Sequence, residues 1–224
     1  MTLGRGVARP LRILVLDCAL PCCRVALLDG AAPLAEQVLE ARHGQASLLP
    51  GVVAALLAAH GRGLDRIVAN VGPGSFTGLR AALSLAHGLA LAGGAALVGV
   101  TGGEALAGAV AADGWALWVA TPARAGRVFL ECDGVACSAL LDSLPAAGGA
   151  VLVAGAAAAE VAQRLAARGE DVRLGPCHGP DAAALAAAAQ RRVEGGLPPR
   201  AVLPLYVDAP EASLPRGGLR PGPA

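Results

Sequence analysis

Aliphatic residues fall in short runs separated by glycine- and proline-marked breaks, and the period of each run predicts its element. Arg12–Asp17 (R-I-L-V-L-D) is an unbroken run closing on a carboxylate, the pattern of a buried strand. Pro21 marks a turn, Arg24–Leu28 is a second strand, and Asp29-Gly30 ends it. Leu34–Leu39 reads as a third, so the chain opens with a small antiparallel meander. In Gln45–His60, Leu48, Leu49, Val52, Val53, Leu56 and Leu57 recur at helical spacing, and Gly61 and Gly63 stop the helix. Leu64–Val71 predicts a strand, Gly72–Arg80 a tight turn opening a helix to about Ala92, Ala95–Val100 a strand, and Glu104–Ala112 a helix.

The second half repeats the theme more loosely. Ala116–Ala120 and Arg127–Cys132 read as paired strands around Arg124–Gly126. Val151–Ala154 is a strand, Ala156–Arg168 a helix and Asp171–Leu174 a strand. Asp181–Val193 is an alanine-rich helix with Asp181 as its N-cap, followed by Ala201–Asp208 and a Pro/Gly tail. The pattern predicts two related α/β lobes, each a mixed sheet with flanking helices. The expected boundaries are 11–112 for the first lobe and 113–208 for a smaller second lobe, with 1–10 and 209–224 as flexible tails.

Composition narrows the core and the partners. Hydrophobic residues make up 55% of the 224 residues and aromatics only 2%, so the core is built from Leu, Val and Ala. A net charge of +1, without basic blocks or aromatic platforms, argues against direct nucleic-acid binding and against an anionic membrane surface. The longest apolar stretch, Ala81–Val100, contains His87 and Gly93-Gly94, and reads as a buried helix and strand rather than a membrane span. None of the six cysteines forms a C-x-x-C pair, and the four histidines never stand at i, i+4. The expectation is a reduced, cytoplasmic protein with no metal site.

Gly72-Pro73-Gly74-Ser75-Phe76-Thr77-Gly78-Leu79-Arg80 is the most informative segment. Its glycines permit unusual backbone angles, and Ser75 and Thr77 are candidate caps for the helix that follows. Such a helix start can bind phosphate. Yet Thr77 breaks G-x-G-x-x-G, the chain has no lysine for a P-loop, and Pro73 and Thr77 break the G-x-S-x-G elbow. Read from its residues alone, the segment is first a turn for close packing. Behind it, Ala81, Leu85, Gly88 and Ala92 form a mostly small stripe that lets another helix approach, either Gln45–His60 or one from another chain, while Leu79, Leu83 and Ala86 lie toward another side.

The string G-P-G-S-F-T-G-L-R, with His87-Gly88-Leu89-Ala90 and Val98-Gly99-Val100, resembles the hallmark of the TsaB family. Leu14-Val15-Leu16-Asp17 with Val25-Ala26-Leu27 resembles its opening hairpin, and His43 with Leu48-Leu49-Pro50 resembles the start of its first helix. Glu104-Ala105-Leu106-Ala107, Arg127-Val128-Phe129 and Pro204-Leu205-Tyr206-Val207 agree in order. Pro122, Asp208 and Thr101-Gly102-Gly103 depart from the family pattern.

The resemblance implies a two-lobed actin/hexokinase/Hsp70-like (ribonuclease H-like) fold. It implies a non-catalytic, dimer-forming subunit of the machinery that adds the threonylcarbamoyl group to adenosine 37 of tRNAs reading codons that begin with A. TsaD and TsaE are the implied partners, with a homodimer when TsaD is absent. The implied partner surface comprises Leu49, Val52, Val53, Leu56, Gly72, Pro73, Gly74, Ser75, Phe76, Thr77, Gly78, Arg80, Ala81, Leu85 and Gly88. Gly102 and Leu106 stand where the catalytic relative TsaD carries two metal-binding histidines. Asp17 occupies the place of the phosphate-loop aspartate but lacks the following Gly-Thr, which makes it a vestigial nucleotide contact or a turn-capping carboxylate. No cofactor is expected, ATP or ADP at a subunit interface being the alternative, and the competing function is an ATP-binding or hydrolysing member of the fold or an inactive peptidase-like homologue.

Overall fold

The computed structural model describes residues 9–40, 44–61 and 63–208. His43 and the expected tails at 1–8 and 209–224 lie outside the described residues, whereas Arg9, expected in a flexible tail, is tied to Asp65 by two hydrogen bonds of 2.7 and 2.8 Å.

The first sheet begins with the meander: β1 (Arg12–Asp17), β2 (Cys22–Asp29) and β3 (Ala32–Glu40), antiparallel throughout. After α1 (Gln45–His60) comes β4 (Arg66–Asn70), parallel to β1, and after α2 (Phe76–Gly93) comes β5 (Ala96–Val100), parallel to β4. The order is β3-β2-β1-β4-β5. Helix α3 (Gly102–Ala109) leads into the second sheet, made of β6 (Ala116–Pro122), β7 (Arg127–Cys132), β8 (Val135–Leu140), β9 (Val151–Ala154) and β10 (Val172–Leu174). Its order is β10-β9-β6-β7-β8, the same topology read from the other end. Helix α4 (Ala158–Ala167) joins β9 to β10, and α5 (Ala182–Val193) follows.

Strand β8 is an element the sequence reading lacked. Asp133 and Gly134 both take positive φ (48° and 77°) between Cys132 and its partner Val135, the two-residue turn that suits the twist of a hairpin.

Alternation along β1 shows why its run is apolar throughout. Leu14 and Leu16 enter a core with Leu49, Val53 and Leu56 of α1 and Ala82, Leu83 and Ala86 of α2. Ile13 and Val15 point the other way, against Val68, Val100 and the α5 residues Leu185, Ala186 and Ala189. Helix α5 therefore covers the first sheet although it lies in the stretch expected to form the second lobe. The small side chains of Ala182, Ala186 and Ala189 let it settle onto that face. The segment 201–208 also returns: Leu205 N–H donates to Val71 O at 2.8 Å, and Val202 and Leu205 join the first core. The second sheet packs Trp118, Val128, Leu130 and Val153 against Val161 and Leu165 of α4.

Candidate functional site around the glycine motif and the outer helices

The motif is seated on the turn after β1. Asn70, the last residue of β4, donates from Nδ2 to Asp17 Oδ1 (2.9 Å), and its Oδ1 accepts from Gly72 N–H (2.9 Å). Asp17 Oδ1 also accepts from Ala19 N–H at 3.0 Å. Ser75 N–H donates to Ala19 O at 2.7 Å. A Cβ on Gly74 would stand 2.2 Å from Ala19 O, and one on Gly78 would stand 2.2 Å from Cys18 O, so close backbone approach requires glycine at both positions. Gly72 is required for its dihedral, φ 106°. Ser75 is the N-cap, accepting from Gly78 N–H at 3.3 Å; the expected second cap, Thr77, lies within the first turn and is exposed.

This geometry speaks against phosphate at the helix start. The carbonyl oxygens of Cys18 and Ala19 abut the glycine backbone, presenting partial negative charge where an anion would sit. Burial pushes the Asp17 carboxyl above the usual range, and its bonds to Ala19 N–H and Asn70 offset part of that effect. In this structure Asp17 caps the turn after β1 through Ala19 N–H and Asn70.

Between the lobes, Leu20, Pro73, Leu106, Thr121 and Pro180 line a cavity of about 10 Å³, the space of roughly one water. Gly102 is buried there beside Leu106. The residues present do not fit a nucleotide in this cleft. Among the described residues, no group of three or more His, Cys, Asp and Glu side chains is placed to hold a metal ion.

A polar cluster the sequence reading missed joins α3, α5 and the second lobe. Thr101 and Glu104 form a capping box at the start of α3, with Glu104 N–H to Thr101 Oγ1 at 3.0 Å and Thr101 N–H to Glu104 Oε2 at 2.9 Å. The signal was legible, since Thr101-Gly102-Gly103-Glu104 has capping-box spacing. Buried Glu104 is paired with Arg192 (2.5 Å) and Arg200 (2.8 Å). Glu131 of β7 accepts from Gly103 N–H at 2.8 Å, and burial raises its carboxyl to about 7.

The residues expected at a partner surface divide by burial. Leu49, Val53, Leu56, Gly72, Pro73 and Gly78 are buried within the chain and cannot serve as contacts, because the sheet and the Cys18–Ala19 turn already occupy their surroundings. Val52, Gly74, Ala81 and Leu85 are half-buried; Ser75, Phe76, Thr77, Arg80 and Gly88 are exposed. The space beyond Gly88 is open, with no atom within 4 Å of an added Cβ. Exposed apolar side chains on these helices are Leu48 (56%), Phe76 (49%) and Leu91 (89%). Arg80 lies 3.8 Å over the Phe76 ring and donates from Nε to the Tyr206 hydroxyl at 2.6 Å, while His87 Nε2 lies 2.7 Å from Val202 O. Tyr206 was not singled out as a site residue, and only its place in the terminal motif pointed to it.

A family model described as "TsaD: tRNA N6-adenosine threonylcarbamoyltransferase" matches residues 39–169, more than half of the chain. The chain belongs to this family. A structure described as an uncharacterized protein with similarity to peptidase YEAZ, from Pseudomonas aeruginosa, is 25% identical with TM-score 0.68, covering 88% of this chain and 100% of that one. A second, YeaZ from Pseudomonas aeruginosa, is 24% identical with TM-score 0.66, covering 88% and 99%. Comparison with curated proteins gives no match. The family assignment and the two-sheet α/β fold expected from the sequence both hold. The protein is thus a member of the family that builds threonylcarbamoyl-adenosine into tRNA. No helix among the described residues is long and apolar enough to cross a membrane.

Proposed function

We propose that this chain is the non-catalytic, dimer-forming subunit of the tRNA threonylcarbamoylation complex. It pairs with TsaD through the outer face of α1 and α2 in the cytoplasm, TsaE joins the pair, and a homodimer forms when TsaD is absent. It supports the addition to adenosine 37 of tRNAs reading codons that begin with A, and does not itself hold the tRNA. The observation that carries this reading is the exposed apolar surface on these helices: Leu48, Phe76 and Leu91 face solvent, and the space beyond the bare backbone at Gly88 is open. Aromatic and arginine side chains such as Phe76 and Arg80 are the types that anchor interfaces. The filled interlobe cleft and the internal use of Asp17 support a supporting rather than chemical role.

Gly88→Arg is the clean test. The new side chain enters open space and replaces a helix-interior glycine, so denaturant unfolding should show stability unchanged or raised by up to about 1 kcal/mol. Co-purification with TsaD should be lost, and undiminished pairing would refute this surface. Leu85→Glu is a poorer probe, because Leu85 packs against the chain's own core.

A further inference from the structure

We propose that Cys18 and Cys23 form an oxidisable dithiol, a modification site that closes to a disulfide across the base of the β1–β2 turn on which the glycine motif is seated. The β1–β2 register runs from Arg12 opposite Asp29 to Asp17 opposite Arg24, where the pairing ends; continued by one step past the end of β1, it would set Cys18 opposite Cys23. Directly opposed residues of an antiparallel pair have Cα atoms about 4.5–5.5 Å apart, inside the roughly 4.4–6.8 Å range of disulfides. Both side chains enter the same core, with Leu16 and Val25, beneath α1 and α2. The interaction between the two neighbouring thiols raises Cys18 and lowers Cys23, the directions of a pair in which Cys18 would donate and Cys23 accept. Cys23 is thus the attacking sulfur and Cys18 the resolving one. Cys22, adjacent in sequence, alternates to the opposite face of β2.

The oxidant is hydrogen peroxide, small enough to enter a core where Cys18 and Cys23 are 0% and 2% exposed. Cys23 thiolate attacks a peroxide oxygen, the O–O bond breaks, and the leaving oxygen takes a proton, giving a sulfenic acid. Cys18 sulfur then gives up its proton and attacks Cys23 sulfur. The S–O bond breaks and water leaves. Two thiols lose two electrons in total and one peroxide becomes two waters. The new bond ties together the two sides of the turn whose Cys18 and Ala19 carbonyls abut Gly78 and Gly74.

The test uses full-length Cys22→Ser protein, folded, treated with hydrogen peroxide, then alkylated in denaturant and cleaved after arginine. The 13–24 peptide then carries only Cys18 and Cys23. The expected product is an unalkylated peptide lighter by the two hydrogens lost, which prior treatment with a dithiol reductant converts to the doubly alkylated form. Oxidation should trail that of the exposed Cys137 and Cys177. A 13–24 peptide that stays doubly alkylated under prolonged peroxide, long after those two have reacted to completion, or that carries sulfinic acid instead of a link, overturns the proposal. Fragment ions of the wild-type peptide give the same answer should the variant fail to fold, and a link from Cys22 to either neighbour overturns it. Hydrogen exchange at Ser75 and Gly78 should slow several-fold on oxidation, and unchanged exchange would remove the coupling to the motif.

Discussion

The two lobes share one strand order, three antiparallel strands followed by two parallel ones, but they are covered differently. In the first, α1 joins the third strand to the fourth, α2 joins the fourth to the fifth, and α5 closes the opposite face. In the second, no helix joins β8 to β9; the connection instead folds Leu141, Leu144 and Ala147 onto the core beside α4. A repeated sheet thus supports two outcomes. The lobe that keeps its pair of helices presents a helical face outward, and the lobe that has lost one seals itself with a loop. The proposed interaction surface follows from what covers the sheet rather than from the sheet itself.

The shared handover from fourth strand to helix gives the sharpest way to break the comparison. Gly74 in the first lobe and Gly155 in the second each face a backbone carbonyl, and an added Cβ would lie 2.2 Å from Ala19 O or 2.4 Å from Ala120 O. Backbone cannot swing aside as a side chain can. Gly74→Ala and Gly155→Ala should therefore each cost above about 4 kcal/mol in denaturant unfolding. A cost at one site only would show that the lobes do not use the turn alike.

Leu185→Ala should cost about 4 kcal/mol through its cavity. Hydrogen exchange should rise in β1 and β4 before β6 and β9, because α5 covers the first sheet. The reverse order would return α5 to the second lobe.

Glu131 sharpens the contact between the lobes. Its carboxyl is raised from 4.5 to about 7, chiefly by burial, with Glu104 raising it further and Thr101, Gly103 N–H and Arg200 opposing. The unfolded chain gives up this proton first as pH rises. Stability from this group is therefore present below about 4.5 and declines as pH climbs to about 7. The span is up to about 3 kcal/mol. Glu131→Gln should flatten that slope in chemical denaturation at a series of pH values; an unchanged slope would assign it to other groups.

Arg80→Ala should cost under about 1 kcal/mol, the worth of an exposed cation–π contact and one hydrogen bond. Its visible effect should be faster proteolysis within 201–208. Unaltered cleavage would show that His87 and Leu205 hold the segment without it.

Much of the fold was legible because strands such as β4 and β9 are buried on both faces and α1 and α2 end at glycines. Arg12–Asp17, Arg127–Cys132, Val151–Ala154 and Gln45–His60 have the predicted bounds. Strand β8 was not, since V-A-C-S-A-L alternates weakly, although Asp133-Gly134 announced its turn. The destination of α5 was beyond reach: an alanine-rich helix fits either sheet, and only tertiary packing chooses. The same limit affected the candidate site. Helical spacing put Leu48 with Leu49, but the structure buries Leu49 and leaves Leu48 in solvent. Asn70 carried no motif, and its role appeared only once β4 stood beside β1.

The return of α5 has a consequence during synthesis. While the ribosome is still producing the second sheet, Ile13, Val15, Ala26, Leu28 and Val68 have no permanent cover. The N-terminal half made alone would present that apolar surface to solvent and to other chains, so a fragment ending near residue 112 should be sticky where the whole protein is not. Folding of the first lobe is finished by residues that emerge only after the second sheet.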